Sequence, residues 1–421
     1  MRTVPDGLTG AIMAVEGIPD AVSFLHGPGG CRVRHMVLSS AVAYREGEDR
    51  GSFFVPYYYG YPRVPSTHLD EYDYINGAYY KSVEGLAEVA GRRPSLAVVI
   101  DSPGASLIGD DHMRAIRENG LEDVAFHLTD QLSSEPATRA SGTTLARVMG
   151  FLDPERGDVR RGTVNLLGLS LMDKDWAHAR TELEQLLGDM GLEVVCAPGA
   201  GSPVEDLVRS VDAEYNVVVC PEMCEGLVGW YESLGIPTIR SPAGAPVGFD
   251  ALEEWVRTVA EATGRDPAVA LSRIGETKEA VYRKLVGSSY NSLRIRGSTF
   301  SVAGTASVVR PLTEWLYSYL AMAPAAVAVD DGADPHEAEE LRRFLDEKGF
   351  GGTWGREPVP SAVVLCEGVT ATTMELDGSC LAGIPIGYSS MGIDDIIPRP
   401  VYGMQGALFI LDEILHGVRS T

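Results

Sequence analysis

From Pro94 onward the chain repeats one pattern: a short apolar run, a turn, then a stretch whose apolar residues fall at helical spacing. The runs lie at 94–100, 164–168, 194–196, 217–220, 302–304, 327–329 and 363–366, and an earlier one at 21–25 has the same character. Strands that alternate with amphipathic helices form βαβ units and therefore parallel sheets. The runs are continuously apolar rather than alternating, which suits strands buried on both faces. Helices are expected over about 175–190, where Ala179, Leu183, Leu186 and Leu187 form one face, and over 267–286.

The pattern also repeats on a larger scale. Val217-Val218-Val219-Cys220 leads to Gly235-Ile236-Pro237, and Val363-Val364-Leu365-Cys366 leads to Gly383-Ile384-Pro385, with Gly17-Ile18-Pro19 before the run at 21–25. Each unit reads as strand, helix, Gly-Ile-Pro turn and next strand. Polar or Gly/Arg-rich stretches at 154–162 and 264–298 mark the junctions. The expected fold is α/β, three Rossmann-like domains with parallel sheets: residues 1–160, 161–265, and 266–421 with a connecting helix at its start.

Charge and composition exclude several functions. With 35 Lys plus Arg against 59 Asp plus Glu, the formal charge is -24, which argues against nucleic acid and anionic membrane surfaces as partners. No run approaches the roughly 18 apolar residues of a membrane helix, and no basic-then-apolar leader opens the sequence. The expected location is the cytoplasm. Six cysteines, at 31, 196, 220, 224, 366 and 380, are too sparse for a disulfide framework and lack zinc-site spacing.

The candidate chemistry begins at Leu25-His26-Gly27-Pro28-Gly29-Gly30-Cys31, where one thiol follows a glycine-rich turn at the end of an apolar run. Gly27, Gly29 and Gly30 allow positive φ and close backbone approach. Bare amides beside a thiolate suit an iron-sulfur cluster, whose potential depends on hydrogen bonds to sulfur. Cys220 and Cys366 fall at the carboxyl ends of strands, where open parallel sheets bind ligands. Pro221 places Cys220 at a helix start, where a thiolate is stabilised, with Cys224 about one turn away. For every one of these thiols the alternative is a small core hydrophobe.

Arg32 and Arg34 could neutralise an anionic cluster or a carboxylate-rich substrate such as a tetrapyrrole, or could form ordinary ion pairs. Tyr57-Tyr58-Tyr59-Gly60-Tyr61 could line a planar pocket or a subunit contact. No pattern names a general acid, and no Gly-x-x-x-x-Gly-Lys-Ser/Thr loop occurs, so any ATP chemistry must come from a partner.

Several segments in chain order resemble one family, the component 1 proteins of nitrogenase and their relatives, over a span from Leu8 to the C-terminus. The segments are Leu8-Thr9-Gly10-Ala11 followed by His26 to Cys31; Ser66 to Gly77, with Asp70, Glu71 and Asp73; Asp101-Ser102-Pro103-Gly104 running to Ile108-Gly109-Asp110-Asp111; and Arg399-Pro400-Val401-Tyr402-Gly403-Met404-Gln405-Gly406-Ala407. The resemblance implies that Cys31 is an iron-sulfur ligand at a subunit interface, with His26, Gly29, Gly30, Arg32, Arg34 and Ser102 around it. By the same likeness, Cys220 stands where nitrogenase binds its active-site cofactor through cysteine, and Ser389 where it uses histidine. Ser102 replaces a second cluster cysteine, and residues 57–69 lack a third.

One thiol cannot hold a four-iron cluster, which takes about four protein ligands, so a second chain must share it. This chain resembles the ligand-poor half of a light-independent protochlorophyllide reductase. The implied function is that of a component 1 protein, the catalytic part of a nitrogenase-like reductase, fed low-potential electrons by an ATP-dependent iron protein. It would work as a homodimer or in a heterotetramer with a related chain, with a second metallocofactor or tetrapyrrole in the central cleft. The alternatives are a metallocofactor-assembly scaffold and a cluster-free binding or regulatory protein.

Overall fold

A computed structural model describes residues 2, 4–42, 63–130, 132–287, 295–387 and 395–419. Its strands form three separate sheets. The first contains β1 (Ala21–His26), β2 (Leu96–Asp101) and β3 (Ala125–Leu128) in the order β1-β2-β3. The second contains β4 (Arg160–Leu167), β5 (Glu193–Cys196), β6 (Ala213–Val218) and β7 (Thr238–Ile239) in the order β5-β4-β6-β7. The third contains β8 (Thr299–Gly304), β9 (Ala323–Val329), β10 (Val363–Cys366) and β11 (Ala382–Pro385) in the order β11-β10-β8-β9. Every pairing is parallel, as the βαβ periodicity predicts.

Burial on both faces explains the continuous apolar runs. In the first sheet Ala21, Leu25, Leu96, Val98 and Ile100 face the main core that runs through the molecule. The intervening Val22, Phe24, Ala97 and Val99 pack instead on Leu86, Val89 and Ile116. A third cluster holds Val364, Cys366 and Cys380, so those two thiols are packing groups. The helices Trp176–Asp189 and Ala268–Gly287 lie where the spacing predicts them.

The structure departs from the sequence pattern in three places. β6 ends at Val218, two residues short of Cys220, because Pro221–Met223 already turns as a 3-10 helix. Gly235-Ile236-Pro237 precedes β7 as predicted, whereas Gly383-Ile384-Pro385 is itself part of β11. β11 is an edge strand, where a missing proline N–H removes no ladder bond. Finally, β3 has no counterpart among the apolar runs; it has four residues, and two of them are only half-buried.

Candidate functional site

β1 and β2 end in register, His26 beside Asp101, so the two turns that follow leave the sheet side by side. The Gly27 amide donates to Thr67 Oγ1 at 3.0 Å, and the Gly27 carbonyl accepts from the Leu69 amide at 3.1 Å. The Ser102 amide donates to the His26 carbonyl at 2.9 Å. A Cβ on Gly27 would lie 2.8 Å from Ser102 Oγ. Gly27 is therefore required for close approach, not for positive φ: neither it nor Gly29 nor Gly30 takes positive φ, contrary to expectation. Gly29 and Gly30 instead open the helix Gly29–Val42, which places Cys31 in its first turn.

Cys31 is half-buried, whereas the other five cysteines are buried. Burial and the nearby Asp6 push its thiol pKa up, against Arg34. The Cys31 carbonyl meets His35 Nδ1 at 2.7 Å, and His35 Nε2 lies 3.1 Å from Thr9 Oγ1, which donates to Asp6 at 2.7 Å. Arg32 Nη1 lies 3.1 Å from His68 Nε2, and Arg34 Nη1 3.4 Å from Asp6 Oδ2. Both arginines thus have intrachain partners.

The other segments that carry the resemblance converge on the same strand ends. Asp70 caps the helix Glu71–Asn76 in a reciprocal box with Asp73, whose carboxylate Lys81 and Tyr80 also engage. Asp110 accepts from the Ala78 amide at 2.9 Å and approaches His26 Nε2 at 3.3 Å. Asp111 caps the helix His112–Glu118. Above Asp101, His112 Nε2 and His127 Nε2 each lie 2.9 Å from one carboxylate oxygen. Burial raises the Asp101 pKa, but those two imidazoles outweigh it and hold the carboxyl well below the usual range. Burial, reinforced by His112, drives the His26 pKa down to about 4. Sequence reasoning missed His112 and His127, although strand-end position, the rule that picks out Cys220, flags His127 as well.

A second site lies between the sheets. A cavity opens outside the carboxyl ends of β8, β9 and β10, walled by Gly304, Thr305, Asp330, Glu367, Gly387, Asp173, Met223 and Tyr402. This is where parallel sheets place ligands. Asp173 accepts from the Ser170 amide at 2.8 Å and from Tyr402 at 3.1 Å, yet burial pushes its carboxyl up to about 7. It is the acid that sequence patterns failed to name, able to hold a proton near neutrality.

Cys220 does not line this cavity or the one walled by Val219, Pro221, Arg240 and His336. Its Sγ lies 3.5 Å from Glu222 Oε2 and 3.5 Å from Ser307 Oγ. Burial, then Glu222, raises its pKa well above the ordinary value. The expected thiolate-stabilising helix start is absent there, since the turn is three residues long and the next helix begins after Cys224. Ser389 and Tyr57-Tyr58-Tyr59-Gly60-Tyr61 lie outside the described residues.

The family model for nitrogenase component 1 type oxidoreductases matches residues 7–363. The chain belongs to that family. Solved structures of nitrogenase Cp1 at pH 6.5 and pH 5 match with TM-scores of 0.80 and 0.67 at 15% and 17% identity. They align over this whole chain and over 94% and 90% of theirs, a likeness of fold. The curated relatives include one of the two kinds of chain that make up light-independent protochlorophyllide reductase. That of Synechococcus sp. (strain RCC307) is 28% identical over 63% of this chain and 50% of its own. Its counterpart in Rhodopseudomonas palustris (strain TIE-1) is 33% identical over 36% of this chain and 28% of its own. The chain thus spans half or less of these relatives' length. The counterpart in Methylobacterium sp. (strain 4-46) is 27% identical over 77% of this chain and 64% of its own. Among the described residues of this family member, no helix is long and apolar enough to cross a membrane.

Proposed function

We propose that this chain is the ligand-poor component 1 protein of a nitrogenase-like reductase, receiving low-potential electrons from an ATP-dependent iron protein through an iron-sulfur cluster at a subunit interface. One observation carries the proposal: Cys31 is the only one of the six cysteines that is not buried, and it stands at a helix start. A helix start offers free amides and the positive end of the dipole to an anionic cluster. Cys31 fits one ligand position and no more, so the remaining ligands come from a second chain, either another copy or a related protein. Ser102, behind Gly27, is a buried neighbour of that turn and not a ligand. The substrate occupies the central cavity, where Asp173 holds the proton to be delivered.

The test is anaerobic purification together with the natural partner, followed by analysis of iron and acid-labile sulfide. Wild-type chain and Cys196→Ser should carry both. Cys31→Ser should lose the sulfide with its fold intact by circular dichroism. Cys196 is the matched control because it is fully buried in the main core. Sulfide-free wild-type protein would leave a cluster-free binding protein in place of an electron carrier. Sulfide that survives Cys31→Ser would place the cluster elsewhere.

A further inference from the structure

We propose that His26, Asp101 and His112 form a binding site for one divalent transition-metal ion, with His127 holding the far oxygen of Asp101 and Asp110 closing the side next to His26. The site does not rest on the reductase proposal, since it uses no cysteine.

The fold assembles these groups from four separate elements. His26 ends β1, Asp101 ends β2, and His127 pairs with Val99 on β3. In a parallel ladder, residues paired in register share a face, and Val99 and Asp101 share theirs through the period of two. The helix His112–Glu118 then lays His112 between the other two rings. Ring centroids are 4.5 Å apart for His26 and His112 and 4.6 Å for His112 and His127, each pair edge to face. One donor atom from each of His26, Asp101 and His112 lies within 4.8 Å of the others.

The hydrogen bonds leave this cluster incomplete. His26 is fully buried, and its Nε2 has no hydrogen-bond partner among the described residues, Asp110 Oδ2 lying 3.3 Å away but off the donor direction. A single hydroxyl, Ser82 Oγ, faces both His26 Nδ1 and His112 Nδ1 at 3.4 Å. It has one proton for two rings. Asp101 meets two imidazoles, and Asp110 meets the Ala78 amide and His26, so two acidic groups face neutral rings. An ion bound to His26 Nε2 satisfies the orphaned nitrogen and offsets that charge together. Imidazole and carboxylate donors without thiolate suit Zn²⁺, Fe²⁺ or Mn²⁺. His127 on Asp101 is the outer hydrogen bond that such ligands usually carry. The ion would tie β1, β2 and the helix His112–Glu118 together just ahead of the Gly27-to-Cys31 turn.

Full-length protein, stripped with a chelator under anaerobic conditions, is titrated with Co²⁺. The expected result is one equivalent per chain, with d–d absorption and no thiolate-to-cobalt charge-transfer band, displaced by Zn²⁺. His112→Ala and Asp101→Asn should each weaken binding about 100-fold or more, and His127→Ala about 10–100-fold. Cys31→Ser should bind as wild type does. If His112→Ala does not fold, Asp101→Asn, which preserves shape, decides the matter together with the wild-type stoichiometry. No cobalt uptake by wild type, unchanged uptake by Asp101→Asn, or a thiolate band would overturn the site and leave an ion-free imidazole–carboxylate network.

Discussion

Ser102 stands directly behind Gly27, its Oγ 2.8 Å and its Cβ 2.9 Å from where a methyl group on Gly27 would sit. Gly27→Ala should therefore push apart the two turns that leave β1 and β2, at about 1–3 kcal/mol, the usual range for overpacking. Urea unfolding measures the loss. Adding Ser102→Gly should recover most of it, and losses that simply add would show that the two positions are not coupled.

Asp173 provides a pH test. Its folded pKa is about 7 against an ordinary 3.8. An acid whose pKa is raised by folding contributes its stability fully below the unfolded value and loses it as pH rises through the folded one. The penalty thus grows between about pH 4 and pH 7. Asp173→Asn can still accept from the Ser170 amide and donate to Tyr402. It should be more stable than wild type at pH 8, by on the order of 1 kcal/mol, with the gain vanishing toward pH 4. Thermal melts at pH 4.5, 6 and 8 read the difference, and a gain independent of pH would mean that Asp173 titrates normally.

Much of this is legible in the sequence, and the reasons are local. Parallel strands such as β10, buried on both faces, announce themselves as apolar runs, and the amphipathic spacing of 176–189 shows its helix directly. β3 is short and half-exposed, so its pattern is weak. The His–Asp cluster is illegible because sequence spacing does not record register: only the pairing of His26 with Asp101 and of Val99 with His127 brings these residues together. Cys220 misleads for a related reason. Its strand-end context is right to within two residues, but whether a side chain faces a cavity or a wall is decided by the 3-10 turn after it.

Glu182 belongs to the helix Trp176–Asp189, yet it receives the Met404 amide at 2.6 Å and the Gln405 amide at 3.1 Å, capping the helix Gly403–Arg419 from another part of the chain. Gly403 is held at φ +81°, and a Cβ there would lie 2.6 Å from the Glu182 carboxyl group. Glu182→Ala should cost about 1–3 kcal/mol, because it strands buried amides. Glu182→Gln should cost less, as it keeps one acceptor. Gly403→Ala should be at least as damaging as Glu182→Ala, and equal stability of all three variants by urea unfolding would remove the cap from the account of the Tyr402-Gly403-Met404 motif.

Arg2 bonds Asp330 at 2.6 Å and Glu357 at 2.7 Å, the latter partner 355 residues further along. At roughly 5–20 residues per second of synthesis, about 20–70 s pass between the appearance of Arg2 and that of Glu357 on the ribosome. For all that time the helix Gly7–Glu16, whose every residue is buried in the finished protein, lacks its N-terminal anchor. Its lasting placement is a late event of biosynthesis, and the emerging chain must keep that apolar surface from other partners until the third sheet has been made.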